Sequence, residues 1–279
     1  MSMRPTLNKD TVLCISLAAR PSNIGTRFHN YLYDRLGLDF LYKACTTTDL
    51  PAAIGGVRAL NIRGCSVSMP FKQDALSLVD RIEPSAAAIG AVNTIVNDGG
   101  ELTAANTDYL AIEALIAEYG LDPDRSVLIR GSGGMAAAVA TAFRDSGFHH
   151  GVLVARNTVA GPELAERLGY HWRHHPGGAS GSIIVNVTPI GMAGGPEESE
   201  SAFGPGTIAA ADTVFDVVAL AAGPAGETPL IAAARAAGKQ VITGTEVIAR
   251  QAAEQFERYT GVRPSPELIA EASAYSRQT

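Results

Sequence analysis

Short apolar runs suited to buried parallel strands alternate along the chain with segments whose apolar positions recur at helical spacing, the pattern of an α/β protein. The first half predicts strands at 12–16, 39–45 and 65–69, with helices at 27–36 and 49–60. Runs at 95–97 and 101–104 flank Asp98-Gly99-Gly100, a Gly-rich hairpin signal, and a helix follows at 109–119. After the Leu121-Asp122-Pro123-Asp124 turn a second series begins: strand 126–130, helix 135–146, strand 152–155 and helix 163–168. It continues with strands 183–187 and 214–218, helix 229–237 and strand 240–242. Two helices close the chain. The one at 246–259 has Val247, Ile248, Ala252 and Phe256 at helical spacing, and the one at 266–275 follows Ser265 as N-cap. Segments 176–182 and 192–206, rich in Gly, Ser or Pro, read as flexible loops.

These elements predict two α/β domains. Residues 1–107, completed by 245–279, make a mixed-sheet substrate domain, and 108–244 make a nucleotide-binding domain, with the site expected in the cleft between them. At 279 residues, 46% hydrophobic and 18% charged, the chain has apolar material for such cores. A net charge of −6 without a basic cluster excludes a nucleic-acid or anionic-membrane surface as the expected partner. No leader-like stretch opens the chain and no apolar run is long enough to span a bilayer, so a soluble cytoplasmic protein is expected, as monomer or homodimer. Cys14, Cys45 and Cys65 lack metal-site spacing and sit in apolar runs, where a thiol behaves as a small hydrophobe. His171, His174 and His175 have no carboxylate or thiol partner nearby and read as a solvated strand end; no metal site is expected.

The run Val127-Leu128-Ile129-Arg130 leads into Gly131-Ser132-Gly133-Gly134-Met135-Ala136, a G-x-G-x-x-A segment between a strand and a helix. Gly131 permits the tight turn, Gly133 lets a pyrophosphate approach the backbone, and Ala136 allows close helix–sheet packing. The next strand ends in Ala155-Arg156-Asn157, where an NAD enzyme usually carries an acid for the ribose 2′-hydroxyl. Arg156 suits a 2′-phosphate instead, so NADP is the expected cofactor. The same absence of an acid disfavours a methyltransferase.

Lys72 follows the strand end in Gly64-Cys65-Ser66-Val67-Ser68-Met69-Pro70-Phe71-Lys72, and Asn93-Thr94 and Asn106-Thr107-Asp108 lie at other strand ends. Amides and hydroxyls match a polyhydroxylated acid, a lysine can pass a hydroxyl proton, and a carboxylate can hold the ammonium. Taken singly, Lys72 also fits a surface lysine, Asp108 a helix N-cap and Gln251 a solvated helix residue.

Together these segments resemble the shikimate dehydrogenase family over almost the whole chain. Ile89-Gly90-Ala91-Val92-Asn93-Thr94 matches intact, Asn186-Val187-Thr188-Pro189-Ile190-Gly191-Met192 nearly so, and Gly244 and Gln251 stand at the family's separation. The resemblance implies Lys72 and Asp108 as a catalytic dyad, with Ser68, Asn93 and Gln251 at substrate hydroxyls. It places Gly131, Ser132, Gly133, Gly134, Met135 and Arg156 at NADP and Gly244 near the nicotinamide. The implied reaction exchanges hydride between shikimate, or 3-dehydroshikimate, and NADP, a step of aromatic amino acid biosynthesis.

The chain also departs from the family's pattern. Anchored on His29-Asn30, the family's two carboxylate-binding serines are Asn23 and Gly25 here, and Thr26 replaces a proline. The strand-end Asn becomes Ser66, the next Thr becomes Ser68, a Tyr becomes Ala219 and a nicotinamide-lining Met becomes Val247. A second basic residue after Arg156 is absent, with Ala160 near its place. These changes point to the divergent shikimate-dehydrogenase-like branch, with Asn23 as the expected replacement at the substrate carboxylate. A quinate or aminoshikimate-type dehydrogenase and a non-catalytic NADP-binding regulatory protein are the alternatives.

Overall fold

A computed structural model describes residues 4–218 and 227–278; Ala219 lies outside the described residues. The first elements in chain order are β1 (Val12–Leu17), α1 (Asn23–Leu36), β2 (Phe40–Cys45), α2 (Leu50–Ala59), β3 (Gly64–Val67) and a 3-10 turn at Asp74–Leu78. β4 (Arg81–Ile82), α3 (Pro84–Ala87), β5 (Thr94–Asp98), β6 (Glu101–Ala105) and α4 (Thr107–Glu118) follow. Next come β7 (Val127–Arg130), α5 (Gly134–Asp145), β8 (Gly151–Val154), α6 (Ala160–Leu168), β9 (His171–Arg173) and β10 (Ile183–Asn186). The chain finishes with α7 (Pro205–Ala210), β11 (Thr213–Asp216), α8 (Pro229–Ala236), β12 (Gln240–Thr243), α9 (Gly244–Thr260) and α10 (Pro266–Ser276). It divides into two units, Met1–Leu110 with Ala249–Thr279, and Ala111–Ile248.

The first unit holds a six-stranded mixed sheet in the order β2-β1-β3-β5-β6-β4, with β1 parallel to β2 and β3, and β5 antiparallel to β3 and β6. Alternation along β1 divides its apolar side chains between two cores. Ile15 and Leu17 join Leu50, Ile54 and Val57 of α2. Cys14 joins Phe28, Leu32 and Tyr33 of α1, Phe256 and Tyr259 of α9 and Ala272 of α10. Gly64 belongs to the second face: a Cβ there would stand 2.3 Å from the Tyr259 ring. β2 is an edge strand, and Asn30 of α1 covers it much as a neighbouring strand would. Its Nδ2 donates to the Tyr42 carbonyl at 2.8 Å, and its Oδ1 accepts the Tyr42 N–H at 3.1 Å. His29 stacks on Tyr42 with ring centroids 4.3 Å apart, and burial drives its pKa down to about 3.

The second unit holds six parallel strands in the order β12-β11-β10-β7-β8-β9. This is the order of doubly wound dinucleotide folds, with its reversal between β7 and β10, where such sheets bind ligands beyond the strands' carboxyl ends. Leu128, Val154, Ile184 and Val214 pack on Ile208 of α7 and Leu230 of α8. α5 is buried on all sides from Ala138 to Phe143, and its small residues let it lie close to the sheet.

Three expectations need correction. α1 starts at Asn23 rather than at 27, because Ser22 takes an extended N-cap conformation and the helix accommodates Gly25 in its first turn. The loop expected at 192–206 ends earlier, since Gly204 is extended and Pro205 occupies the first helical turn of α7. Cys14 and Cys65 are fully buried, which pushes the Cys14 thiol up to about 12, but Cys45 is only half-buried. Of the three clustered histidines, His171 begins β9 and His174 and His175 follow its end. No helix among the described residues is long and apolar enough to cross a membrane.

Candidate active site and nucleotide loop

In the first unit, Lys72 lies in the turn after β3 and Asp108 in the first turn of α4. Lys72 Nζ donates to Asp108 Oδ2 at 2.7 Å, with the carboxylate side chain 13% exposed. The main chain holds both ends: the Val92 N–H donates to the Lys72 carbonyl at 2.8 Å, and Asn106 Oδ1 accepts the Tyr109 N–H at 3.1 Å. Asn106 therefore caps α4, and Asp108 is left to hold the ammonium.

Asn93 stands beside this pair, 3% exposed. Its Oδ1 accepts from the Thr107 N–H at 2.8 Å, the Thr107 hydroxyl at 3.1 Å and the Thr94 hydroxyl at 2.8 Å. A backbone N–H can only donate, so the amide orientation is determined, and Nδ2 is the end left for another acceptor. Gln251 on α9 brings its Oε1 to 3.3 Å from the Thr107 hydroxyl, whose single proton it shares with Asn93 Oδ1. One turn on, Gln255 Nε2 donates to the Asn93 carbonyl at 3.3 Å and to Thr94 Oγ1 at 3.0 Å, tying α9 to β5. The result is an ammonium, a carboxylate and two amides with their carbonyl ends engaged, an arrangement able to hold hydroxyls and pass a proton.

Ser68, just past β3, is exposed, as is Asn23 in the first turn of α1; no hydrogen bond among the described residues joins either side chain to the network. Ser66 is engaged instead with Tyr42, hydroxyl to hydroxyl at 2.6 Å, and a Cβ on Gly25 would come 3.5 Å from the Tyr42 hydroxyl. Tyr42 thus links Ser66 and Gly25, two of the positions where the chain departs from the family's pattern.

In the second unit Gly131 has φ +136, and a Cβ there would stand 2.8 Å from the Val187 carbonyl oxygen, so the turn between β7 and α5 requires glycine. Around Gly133 and Gly134 the space is open, and α5 begins without a side-chain cap. Its first N–H groups, from Gly134, Met135 and Ala136, suit a pyrophosphate, and Ser132 sits half-buried in the same loop. Arg156 follows β8 with its side chain 70% exposed, 3.7 Å from Glu197. Asn157 shapes the turn after it by accepting the N–H groups of Val159 and Ala160 at 2.9 and 3.0 Å. Gly244 opens α9 where a Cβ would meet the Val217 carbonyl oxygen at 2.4 Å.

Behind these loops lies a network not legible in the sequence. Asp216, at the end of β11 and fully buried, accepts from Asn186 Nδ2 at 3.0 Å, the Val218 N–H at 3.1 Å and the Thr228 hydroxyl at 2.6 Å. Asn186 in turn accepts the Thr188 hydroxyl at 2.6 Å and donates to the Ile190 carbonyl at 3.1 Å. One buried carboxylate therefore holds the loops after β10 and β11 together. Gln255 and Tyr42 were missed as well, because nothing in their own spacing marks them, and Thr107 was read only as part of the Asn106-Thr107-Asp108 segment. No group of three or more His, Cys, Asp or Glu among the described residues is placed to hold a metal ion.

The chain is similar to known proteins over most of its length. Residues 23–95 match the shikimate dehydrogenase substrate binding domain. The chain is 55% identical over 271 residues to a shikimate dehydrogenase-like protein of Haemophilus influenzae, covering 97% of this chain and 98% of that one. It is 36% identical over 264 residues to the NADP(+) shikimate dehydrogenase of Chlorobaculum tepidum, covering 86% and 87% of the two chains. The solved shikimate 5-dehydrogenase of Thermus thermophilus in complex with NADP(H) and shikimate superposes with a TM-score of 0.81 at 27% identity, covering 95% and 99%. With so much of its length matched, the chain belongs to the shikimate dehydrogenase family, in a divergent, shikimate dehydrogenase-like branch.

Proposed function

We propose that the chain is an NADP-dependent dehydrogenase that interconverts shikimate and 3-dehydroshikimate, with the first unit holding the substrate and the second the cofactor. The Lys72–Asp108 contact at 2.7 Å carries this reading. NADP, when bound, takes or delivers the hydride. Lys72 moves the proton of the reacting hydroxyl: its ammonium gives a proton to the oxygen as a carbonyl is reduced, and the neutral amine accepts one in oxidation. Asp108 keeps the ammonium in place. Asn93 and Gln251 donate to neighbouring hydroxyls from Nδ2 and Nε2, and Ser68 adds a free hydroxyl. Asn23 serves the substrate carboxylate in place of the family's serines.

On the cofactor side, Gly131–Met135 and the open start of α5 fit a pyrophosphate, Arg156 fits the 2′-phosphate, and Gly244 keeps the chain thin where α9 begins. The test is a rate measurement in the near-ultraviolet band of reduced nicotinamide, with shikimate and quinate each offered with NADP and NAD. Turnover of shikimate with NADP above the other three pairs is expected. Turnover of quinate alone, or of neither, overturns the substrate assignment.

A further inference from the structure

The second unit carries a cation that the reading above leaves unused. Arg130 ends β7, Val154 ends β8, and the two are partners in register. Leu128 and Val154 share a core with Ile184, so by alternation Arg130 leaves the sheet on that same face. Arg156 lies two residues past Val154, and the chain between still pairs, the Ala155 N–H donating to the Arg173 carbonyl at 3.0 Å. Two residues advance a strand by about 6.6 Å and neighbouring strands lie about 4.8 Å apart, so the two Cα atoms stand roughly 8 Å apart, within reach of two long side chains.

The surroundings agree with that placement. Arg130 is half-buried and donates from Nη1 to the Ala202 carbonyl, which fixes its guanidinium and leaves other N–H groups for a second acceptor. Burial, and then the charge of Arg156, make it easier to deprotonate, while Glu197 and Glu200 act the other way. Glu197, whose carbonyl accepts the Gly191 N–H at 3.0 Å, brings its carboxylate to Arg156. Two guanidiniums held at one strand-end corner repel each other, and an anion relieves that cost.

We propose that Arg130 is a second cation for the 2′-phosphate of NADP, acting beside Arg156 and setting the preference over NAD. The inference rests on the NADP reading. No base follows Arg156 between Asn157 and Ala160, and Arg130 supplies the second charge from the adjacent strand.

Binding of NADP and of NAD is measured by titration calorimetry on the full chain, without substrate, for wild type, Arg130→Leu, Arg130→Gln and Arg130→Lys. Losing one charge-assisted contact weakens NADP binding about tenfold in the Leu and Gln variants, leaves NAD within about twofold, and spares part of the NADP affinity in Arg130→Lys. Equal losses for both cofactors would show a role in the fold of the loop, and unchanged NADP binding would show no contact; either overturns the inference while the NADP reading stands. A wild type that prefers NAD, or binds neither, overturns the NADP reading itself.

Discussion

Asp216→Asn asks whether burial or hydrogen bonding governs the carboxylate beneath the loops after β10 and β11. Its three donors favour the anion, and removal from water favours the neutral acid. Burial wins, and the carboxyl rises from 3.8 to about 6. The native state then holds this proton more tightly than the unfolded chain does. Its contribution to stability is complete below pH 3.8 and is lost as pH rises through about 6. The interval corresponds to roughly 3 kcal/mol. In the variant, Oδ1 still accepts from Asn186 and Val218, and the new amide can donate to the Thr228 hydroxyl, so the network survives with one bond reversed. Urea unfolding followed by the fluorescence of Trp172, the sole tryptophan, reports on the unit that contains Asp216. Wild-type stability minus variant stability is expected to fall by roughly 3 kcal/mol between about pH 3.5 and 7. A difference that rises with pH would mean that the donors outweigh burial, and the reasoning would be refuted.

Lys72→Ala lowers turnover by about a hundred- to ten-thousand-fold with the fold intact, and the double variant with Asp108→Asn is scarcely slower than the worse single one; multiplicative losses in steady-state rates would separate their roles. Serines introduced at Asn23 and Gly25 lower the Michaelis constant for shikimate, and an unchanged constant would remove this segment from the site. Gly64→Ala drives a methyl into the Tyr259 ring and costs about 1–3 kcal/mol in denaturant unfolding; a neutral result would mean that the ring moves aside freely. Iodoacetamide on the folded protein labels Cys45 and spares the buried Cys14 and Cys65, so intact mass shows one adduct, and two or three would contradict their burial.

The fold was legible wherever local chemistry fixes local shape. Asp98-Gly99-Gly100 announced the β5–β6 hairpin, and Gly131 announced a turn whose φ and crowding admit nothing else. Lys72 and Asp108 were legible because each sits in a motif of its own. The start of α1 was not, since the extended conformation of Ser22 that caps it shows only in the fold. Nor were Gln255, Asp216 and the pairing of Thr107 with Gln251. Their partners lie 144 residues away for Thr107 and Gln251, or 30 for Asp216 and Asn186, and no short-range spacing records such pairings. Sequence patterns mark residues that face a ligand or bend the chain, whereas residues that hold those in place look like any buried polar group.

The Thr107 hydroxyl has one proton and lies near two carbonyl acceptors, Asn93 Oδ1 and Gln251 Oε1. With both amides turned the same way, the polarity they offer outward is decided from behind, by a residue that itself offers nothing. Such a pair can read the lone pairs of an oxygen and is blind to whether that oxygen carries hydrogen. Under the proposed reaction these two amide ends select for oxygens placed to accept, and the oxygen that gains or loses hydrogen is left to Lys72.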